Sequence, residues 1–389
     1  MLTAEVQTVT HHRSMCPITI QKDPSSLPSR MTHRSTTDAA TSSSQRVFIH
    51  FSCSTMATPG IPILKFPYVI LTQIVCSSDP NALTFLSMCS QRMHNFIRCL
   101  HRKFIGFKLF IIANHDAPHV EIELENTHYV ALSVMHIPAS SGSKSVRIRG
   151  HTVPTIFIQE DHRLFTCWDD PAHGLKEITE YVANLFGVNV YGMELTQPYI
   201  WMIDWVQSRQ AKSVEFIETK DEKWSAEEYG YVMSKSNAKI LNFCVIPPKD
   251  FKHLGPFHKR YHFSIWNGFW VRMEHLLRMD CIYLFVADSL LESNHLNILL
   301  KHWIGGGFQR LRHLCLINRH DFLHDTVFHE LESNVTIVEQ ERTYVIKPAG
   351  AGFSIPANTP DIKRHDGAVA SVVLEGKALQ LFCWPHYSN

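Results

Sequence analysis

Residues 282–318 read IYLFVADSLLESNHLNILLKHWIGGGFQRLRHLCLIN. Two segments of this stretch, IYLFVAD at 282–288 and LRHLCLIN at 311–318, are short, apolar and of the length of buried strands. The segment between them, LNILLKHWIGGG, places apolar residues at helical spacing and ends in a glycine run typical of a helix C-terminus. Because parallel strands need a crossover connection, usually a helix, the stretch predicts two parallel strands joined by a helix.

The same alternation extends upstream. VEFIET (214–219), ILNFCVI (240–246) and HFSIWN (262–267) are strand candidates, and the helical candidates SAEEYGYVMSKS and FWVRMEHLLRMD follow the first and third of them. The strands recur about every 20 to 31 residues, within the range of leucine-rich repeats. We therefore expect a strand–helix solenoid whose parallel sheet forms the concave face. Side chains of 262–267 and 282–288 would face a bound protein there.

Different patterns flank this array. Residues 104–168 alternate with period two, as VEIELE does at 120–125, which predicts a small antiparallel sheet. After Asp170-Pro171, LKEITEYVANLFG is amphipathic and ends on a glycine, so it predicts a helix. Near the C-terminus, Asp366-Gly367 and Glu375-Gly376 separate alternating runs, which predicts a hairpin or a meander.

Residues 66–97 read FPYVILTQIVCSSDPNALTFLSMCSQRMHNFI, with Asp79 and Arg92 as the charged residues. Pro67 suits a first helical turn, and Asp79-Pro80 is a cap followed by a favoured first-turn residue. The stretch predicts short helices with surplus apolar surface. Upstream, residues 1–46 are rich in Ser, Thr and His, so we expect disorder. Met56 is a candidate natural start, which would make residues 1–55 a dispensable leader.

Together these patterns predict an α+β chain. We expect a disordered leader (1–58), a helical module (60–103), an antiparallel β region (104–168), a repeat-like strand–helix solenoid (169–330) and a C-terminal β extension with a hairpin (331–389).

Composition narrows the classes of partner. The 389 residues carry 37 Lys plus Arg against 36 Asp plus Glu, a formal charge of +1. This balance creates no net electrostatic attraction for nucleic acid or for an anionic membrane. We therefore expect neither as a partner. The ten cysteines include no C-x-x-C pair, and no apolar run approaches the ~20 residues of a membrane span. These features favour a cytoplasmic or nuclear protein.

No motif argues for catalysis. The sequence lacks the glycine-rich phosphate-binding motifs and the G-x-S-x-G nucleophile motif. Ser141 and Lys144 match S-x-x-K in a turn, without a pre-organised base. His320 and His324, in NRHDFLHDTVFHE, leave a metal-dependent hydrolase as a minor alternative, although no third ligand completes a site. We predict no catalytic residue, no metal and no cofactor, and hence no enzyme.

Residues 66–97 resemble an F-box. Phe66-Pro67 stands at the Leu-Pro position of that motif, and Cys89 and Arg92 match its cysteine–basic cluster. The pieces GLKEITEYVANLFGVNV (174–190), IDWVQSRQAKSVEFI (203–217) and, most diagnostic, LNILLKHWIGGGFQRLRHLCLI (296–317) are similar to the type-2 F-box-associated domain of the nematode F-box family. The resemblance covers roughly residues 60–330.

The resemblance implies a substrate-recognition subunit of a Skp–cullin–F-box E3 ubiquitin ligase. The F-box would dock on the Skp-type adaptor, and through it on a cullin, while the C-terminal domain holds a protein substrate that the sequence does not identify. The implied adaptor-binding residues are Phe66, Pro67, Ile70, Leu71, Ile74, Leu83, Leu86 and Phe96. The alternative is a ligase-independent protein-binding scaffold with a degenerate F-box.

Overall fold

The computed structural model describes residues 63–100, 106–115, 117–136, 144–158, 163–220, 223–346 and 351–385. The expected leader, the candidate start at Met56 and Ser141 of the S-x-x-K match lie outside these residues.

The described residues contain nine α-helices, mostly short. They are α1 (Tyr68–Ser77), α2 (Pro80–Cys89), α3 (Gln91–Cys99), α4 (Pro171–Phe186), α5 (Met202–Arg209), α6 (Ala226–Lys235), α7 (Met273–Arg278), α8 (Ser293–Ile304) and α9 (His324–Val327). None of these helices is long and apolar enough to cross a membrane.

Eighteen strands are formed within the same residues. They are β1 (Lys108–Ala113), β2 (His119–Leu124), β3 (Thr127–Met135), β4 (Lys144–Ile148), β5 (His151–Ile158), β6 (Arg163–Cys167), β7 (Val190–Leu195), β8 (Phe216–Thr219), β9 (Ile240–Phe243), β10 (Arg260–Ile265), β11 (Cys281–Ser289), β12 (His313–Asn318), β13 (Val335–Val338), β14 (Arg342–Ile346), β15 (Ala351–Ile355), β16 (Thr359–Lys363), β17 (Val369–Glu375) and β18 (Ala378–Cys383).

Sixteen of these strands form one mixed sheet, in the order β13-β16-β17-β18-β12-β11-β10-β9-β8-β7-β1-β2-β3-β6-β5-β4. The central strands from β7 to β12 are parallel to one another. At one end of this parallel block β7 pairs parallel with β1, and at the other end β12 pairs antiparallel with β18. The remaining two strands, β14 and β15, form a separate hairpin.

The predicted fold class, a helical F-box followed by a separate small β region and a solenoid, is wrong. The antiparallel strands, the helix-linked strands and the C-terminal strands belong to the same 16-stranded sheet. An edge strand exposes unpaired backbone N–H and C=O groups, and pairing β1 with β7 and β12 with β18 satisfies those groups. Short-range periodicity identifies strands but gives no information on such long-range pairings.

The main core lies between this sheet and the helices. One row of side chains crosses nine strands in register, and none of its members is more than 3% exposed. The row consists of Ile111, Met193, Ile217, Leu241, Phe263, Leu284, Leu314, Leu381 and Val372. These residues belong to one cluster with apolar side chains of α4 to α8, such as Ile178, Tyr229 and Trp303.

The N-terminal helices begin at side-chain caps. Asp79 accepts a hydrogen bond from the Ala82 N–H at the start of α2, and Ser90 accepts one from the Met93 N–H at the start of α3. These helices also contact the rest of the chain. The Ser87 hydroxyl lies 2.7 Å from the Tyr181 hydroxyl of α4, and the rings of Phe85 and Phe157 meet edge to face.

Candidate functional site

Four large apolar side chains at the start of α1 are exposed to solvent. Phe66, Tyr68, Val69 and Ile70 are 38, 66, 76 and 47% exposed, and together we call them the α1 surface. The helix is apolar around most of its circumference, so it cannot bury every apolar residue against one neighbour. Such a contiguous apolar surface is typical of a protein-binding site.

The residues implied to bind the adaptor divide into three groups. Phe66, Pro67 and Ile70 are exposed, and Ile74 and Phe96 are half-buried. The remaining three, which are Leu71, Leu83 and Leu86, are buried within the chain.

Leu83 is fully buried and Leu86 is 5% exposed, and both belong to the main core. They therefore stabilise the position of α2 and offer little area to a partner. The two most exposed members of the α1 surface, Tyr68 and Val69, were not among the implied residues. Helical spacing could have identified Val69, which lies off the face that carries the buried Leu71 and Val75. It could not have identified Tyr68, which precedes these two residues by three and seven positions and so lies on their face, at the exposed N-terminal end of the helix.

The sheet has a second face, opposite the helices. Phe285, Ala287 and Cys315 form a small apolar cluster there, separate from the main core, with Ile317 packed against it. Side chains alternate between the two faces of a strand, so neighbours such as Leu284 and Leu316 point into the core instead. We call this surface the second face.

Trp266 follows the last residue of β10 beside this cluster. Its ring lies 4.8 Å from that of Phe285, and Trp266 is 38% exposed. A large aromatic side chain that is partly exposed beside an apolar cluster is a common anchor for protein binding. The sequence-based expectation that side chains of 262–267 and 282–288 face a bound protein stays a prediction.

The chemistry of the second face changes along one row. Across β7, β8 and β9 the row carries Glu194, Glu218 and Asn242, and it continues through Ser264 of β10 to Phe285 of β11. Glu194 is 6% exposed and lies 3.0 Å from the Lys220 ammonium group. The row therefore joins a polar, ion-paired strip to an apolar one.

The hairpin β14–β15 lies against the C-terminal strands. Tyr344, Ile355 and Phe382 form a cluster, and the Tyr344 hydroxyl donates to the backbone carbonyl of Arg312 at 2.8 Å. The Phe353 ring lies 5.3 Å from that of His313. The sequence reading assigned this region only to a β extension, although the alternation in Arg342–Ile346 is a strand signal.

Two histidines of the sheet have perturbed ionisation. His262 and His313 pair in register with Tyr283 from either side. Burial lowers the pKa of His262 to about 4. Burial also lowers the pKa of His313 to about 4, and the neighbouring His262 adds to that shift. Both imidazoles are therefore neutral near pH 7.

These two histidines predict a loss of stability in acid. The unfolded chain takes up their protons near pH 6.5, whereas the folded chain does so only near pH 4. The unfolded state thus binds more protons in this interval, so the free energy of unfolding falls as pH falls from 6.5 to 4, by on the order of 2–3 kcal/mol per histidine. Urea unfolding across this range measures the slope.

His313→Gln should make that slope shallower, and His320→Gln on the exposed surface is the matched control. Equal slopes for His313→Gln and the unmodified chain would contradict the prediction.

His320 and His324, which raised the alternative of a metal-dependent hydrolase, are both exposed. Neither is part of the metal-compatible group that the described residues form.

Comparison with known proteins gives one match, to a part of the chain. Residues 246–316 match the family model described as F-box associated. The match contains β10, α7, β11, α8 and the first four residues of β12. It ends at residue 316, whereas the sequence block identified as most diagnostic, 296–317, ends one residue later. No curated protein and no solved structure matches the chain. Residues 246–316, which contribute Trp266 and Phe285 to the second face, are thus similar to F-box-associated domains.

Proposed function

We propose that this chain is the substrate-recognition subunit of a Skp–cullin–F-box E3 ubiquitin ligase. The observation that carries the proposal is the α1 surface, an apolar helical surface in a chain that also contains an F-box-associated stretch. The α1 surface would dock on the Skp-type adaptor and through it on a cullin. In this role the chain acts in the cytoplasm or nucleus.

The second face would hold the protein to be ubiquitinated. Trp266 and the Phe285 cluster supply an apolar anchor for it. The transfer chemistry would belong to the partner subunits, so the chain itself is not an enzyme. The arrangement favours a client segment with an apolar anchor residue.

The experiment that tests the adaptor role is a binding measurement with Ile70→Asp. Ile70 is 47% exposed, so the substitution should leave the fold intact. The carboxylate that this substitution introduces would have to be desolvated in an apolar interface without a partner, so the variant should bind the adaptor more weakly. Truncation at an interface hot spot costs at least about 2 kcal/mol of binding free energy, which corresponds to about 30-fold weaker binding. Calorimetric titration of the full chain with purified Skp-type adaptor measures this ratio.

Leu254→Asp is the matched control, because Leu254 is 88% exposed and lies outside the N-terminal helices. It should bind the adaptor as the unmodified chain does. Affinity purification with the proteasome inhibited extends the test, since Trp266→Ala should retain the adaptor and lose the client. If the unmodified chain binds other proteins but no adaptor, the ligase role is wrong and the protein-binding scaffold replaces it.

A further inference from the structure

Three potential metal ligands meet where the β4–β5 hairpin packs beside α4. His151 is the first residue of β5, and His173 and Glu177 are four residues apart in α4. One ligand atom from each side chain lies within 4.8 Å of the other two. Residues at i and i+4 share a helical face, which is the spacing by which helices present paired ligands to zinc.

The backbone of the hairpin fixes His151 beside the helix. Arg149 and Gly150 form a two-residue turn with φ of +48° and +93°. Positive φ at both positions is the type I′ geometry, and an arginine in the first of them is strained. The Arg149 guanidinium lies 3.1 Å from Oε2 of Glu177 and so connects the turn to α4.

Trp168 orients the two imidazoles. Its ring lies 5.7 Å from those of both His151 and His173, and its indole N–H donates to the Thr166 hydroxyl at 2.9 Å. The indole packs directly on Gly174, where a Cβ atom would lie 2.5 Å from the Trp168 ring. The absence of a side chain at Gly174 therefore allows Trp168 to reach this position.

The three side chains differ in their access to solvent. Glu177 is 8% exposed, and its ion pair with Arg149 is made through Oε2. The side chains of His151 and His173 are both exposed, so an ion from solvent can reach them.

We propose that His151, His173 and Glu177 bind a divalent transition-metal ion of the zinc class. Two imidazoles and one carboxylate form a borderline donor set that suits Zn²⁺, and three protein ligands leave a fourth position for water. The ion would fasten the β4–β5 hairpin to α4, because it bridges ligands from both elements. Sequence reading missed this group because His151 is distant in the chain, although H-x-x-x-E at 173–177 is a weak signal.

The test uses the full chain and zinc chloride alone. Equilibrium dialysis followed by metal analysis should find one zinc ion bound per chain, and thermal unfolding should occur at a higher temperature with zinc than without it. His173→Asn and Glu177→Gln should each weaken zinc binding by at least about 100-fold. Cobalt substitution adds a spectroscopic measurement, since a four-coordinate Co²⁺ site has intense visible absorption.

The double variant His320→Asn/His324→Asn is the matched control, since it removes an exposed histidine pair from another part of the chain. It should retain zinc, and its unfolding temperature should still rise on zinc addition. Two results would overturn the proposal. One is an unmodified chain that binds no zinc, and the other is zinc that His173→Asn and Glu177→Gln retain as tightly as the unmodified chain.

Discussion

Replacing Phe263 by alanine is expected to lower the free energy of unfolding by about 3–5 kcal/mol. Phe263 is 1% exposed and lies near the middle of the apolar row, between Leu241 of β9 and Leu284 of β11. The flanking strands are held in register by backbone hydrogen bonds, so they cannot move closer to fill the space. Most of the lost phenyl volume would therefore remain as a cavity.

The matched control is Phe157→Ala. Phe157 is 39% exposed and meets Phe85 at a ring distance of 6.0 Å, so its truncation should cost about 1 kcal/mol or less. Denaturant unfolding of both variants gives the comparison. A loss at Phe263 no greater than that at Phe157 would show that the central row does not dominate the stability of the sheet.

Local patterns were sufficient to predict the unit between residues 282 and 318. The structure has β11 at Cys281–Ser289, α8 at Ser293–Ile304 and β12 at His313–Asn318, with the two strands parallel. The turns at Gly367 and Gly376 have φ of +89° and +53°, the conformation that the Asp-Gly and Glu-Gly pairs predict. Each of these features depends on residues that are close together in the chain.

Features that depend on distant residues could not be predicted in this way. The pairing of β1 with β7 has no local signal, because alternating strands resemble one another whichever neighbour they pair with. The same limit applies to the candidate adaptor site. Leu83 and Ile70 are both apolar residues of short helices, but Leu83 is buried in the main core and Ile70 is not.

Asp361 is the site at which a single substitution of a charged residue is expected to destabilise the chain most. The Arg342 guanidinium of the β14–β15 hairpin donates two hydrogen bonds to the Asp361 carboxylate of β16, at 2.7 and 2.8 Å. Arg342 also lies over the Trp384 ring, at 5.0 Å from its centre. The side chains of Arg342 and Asp361 are 24 and 11% exposed. The ion pair therefore fastens the hairpin to the sheet in a partly desolvated site.

Asp361→Ala is expected to cost about 3 kcal/mol, the low end for a buried pair, because Arg342 retains some solvent. Asp280→Ala, which removes the 48%-exposed partner of Arg310, should cost about 1 kcal/mol or less. Replacing both Arg342 and Asp361 by leucine should cost less than Asp361→Ala alone, because no charge is then left unpaired.

The backbone amides of β14 and β15 should exchange their hydrogens faster in Asp361→Ala than in the unmodified chain, because the ion pair that connects the hairpin to the sheet is lost. Unchanged exchange in these strands would mean that the aromatic cluster around Tyr344 and Phe382 holds the hairpin without the ion pair.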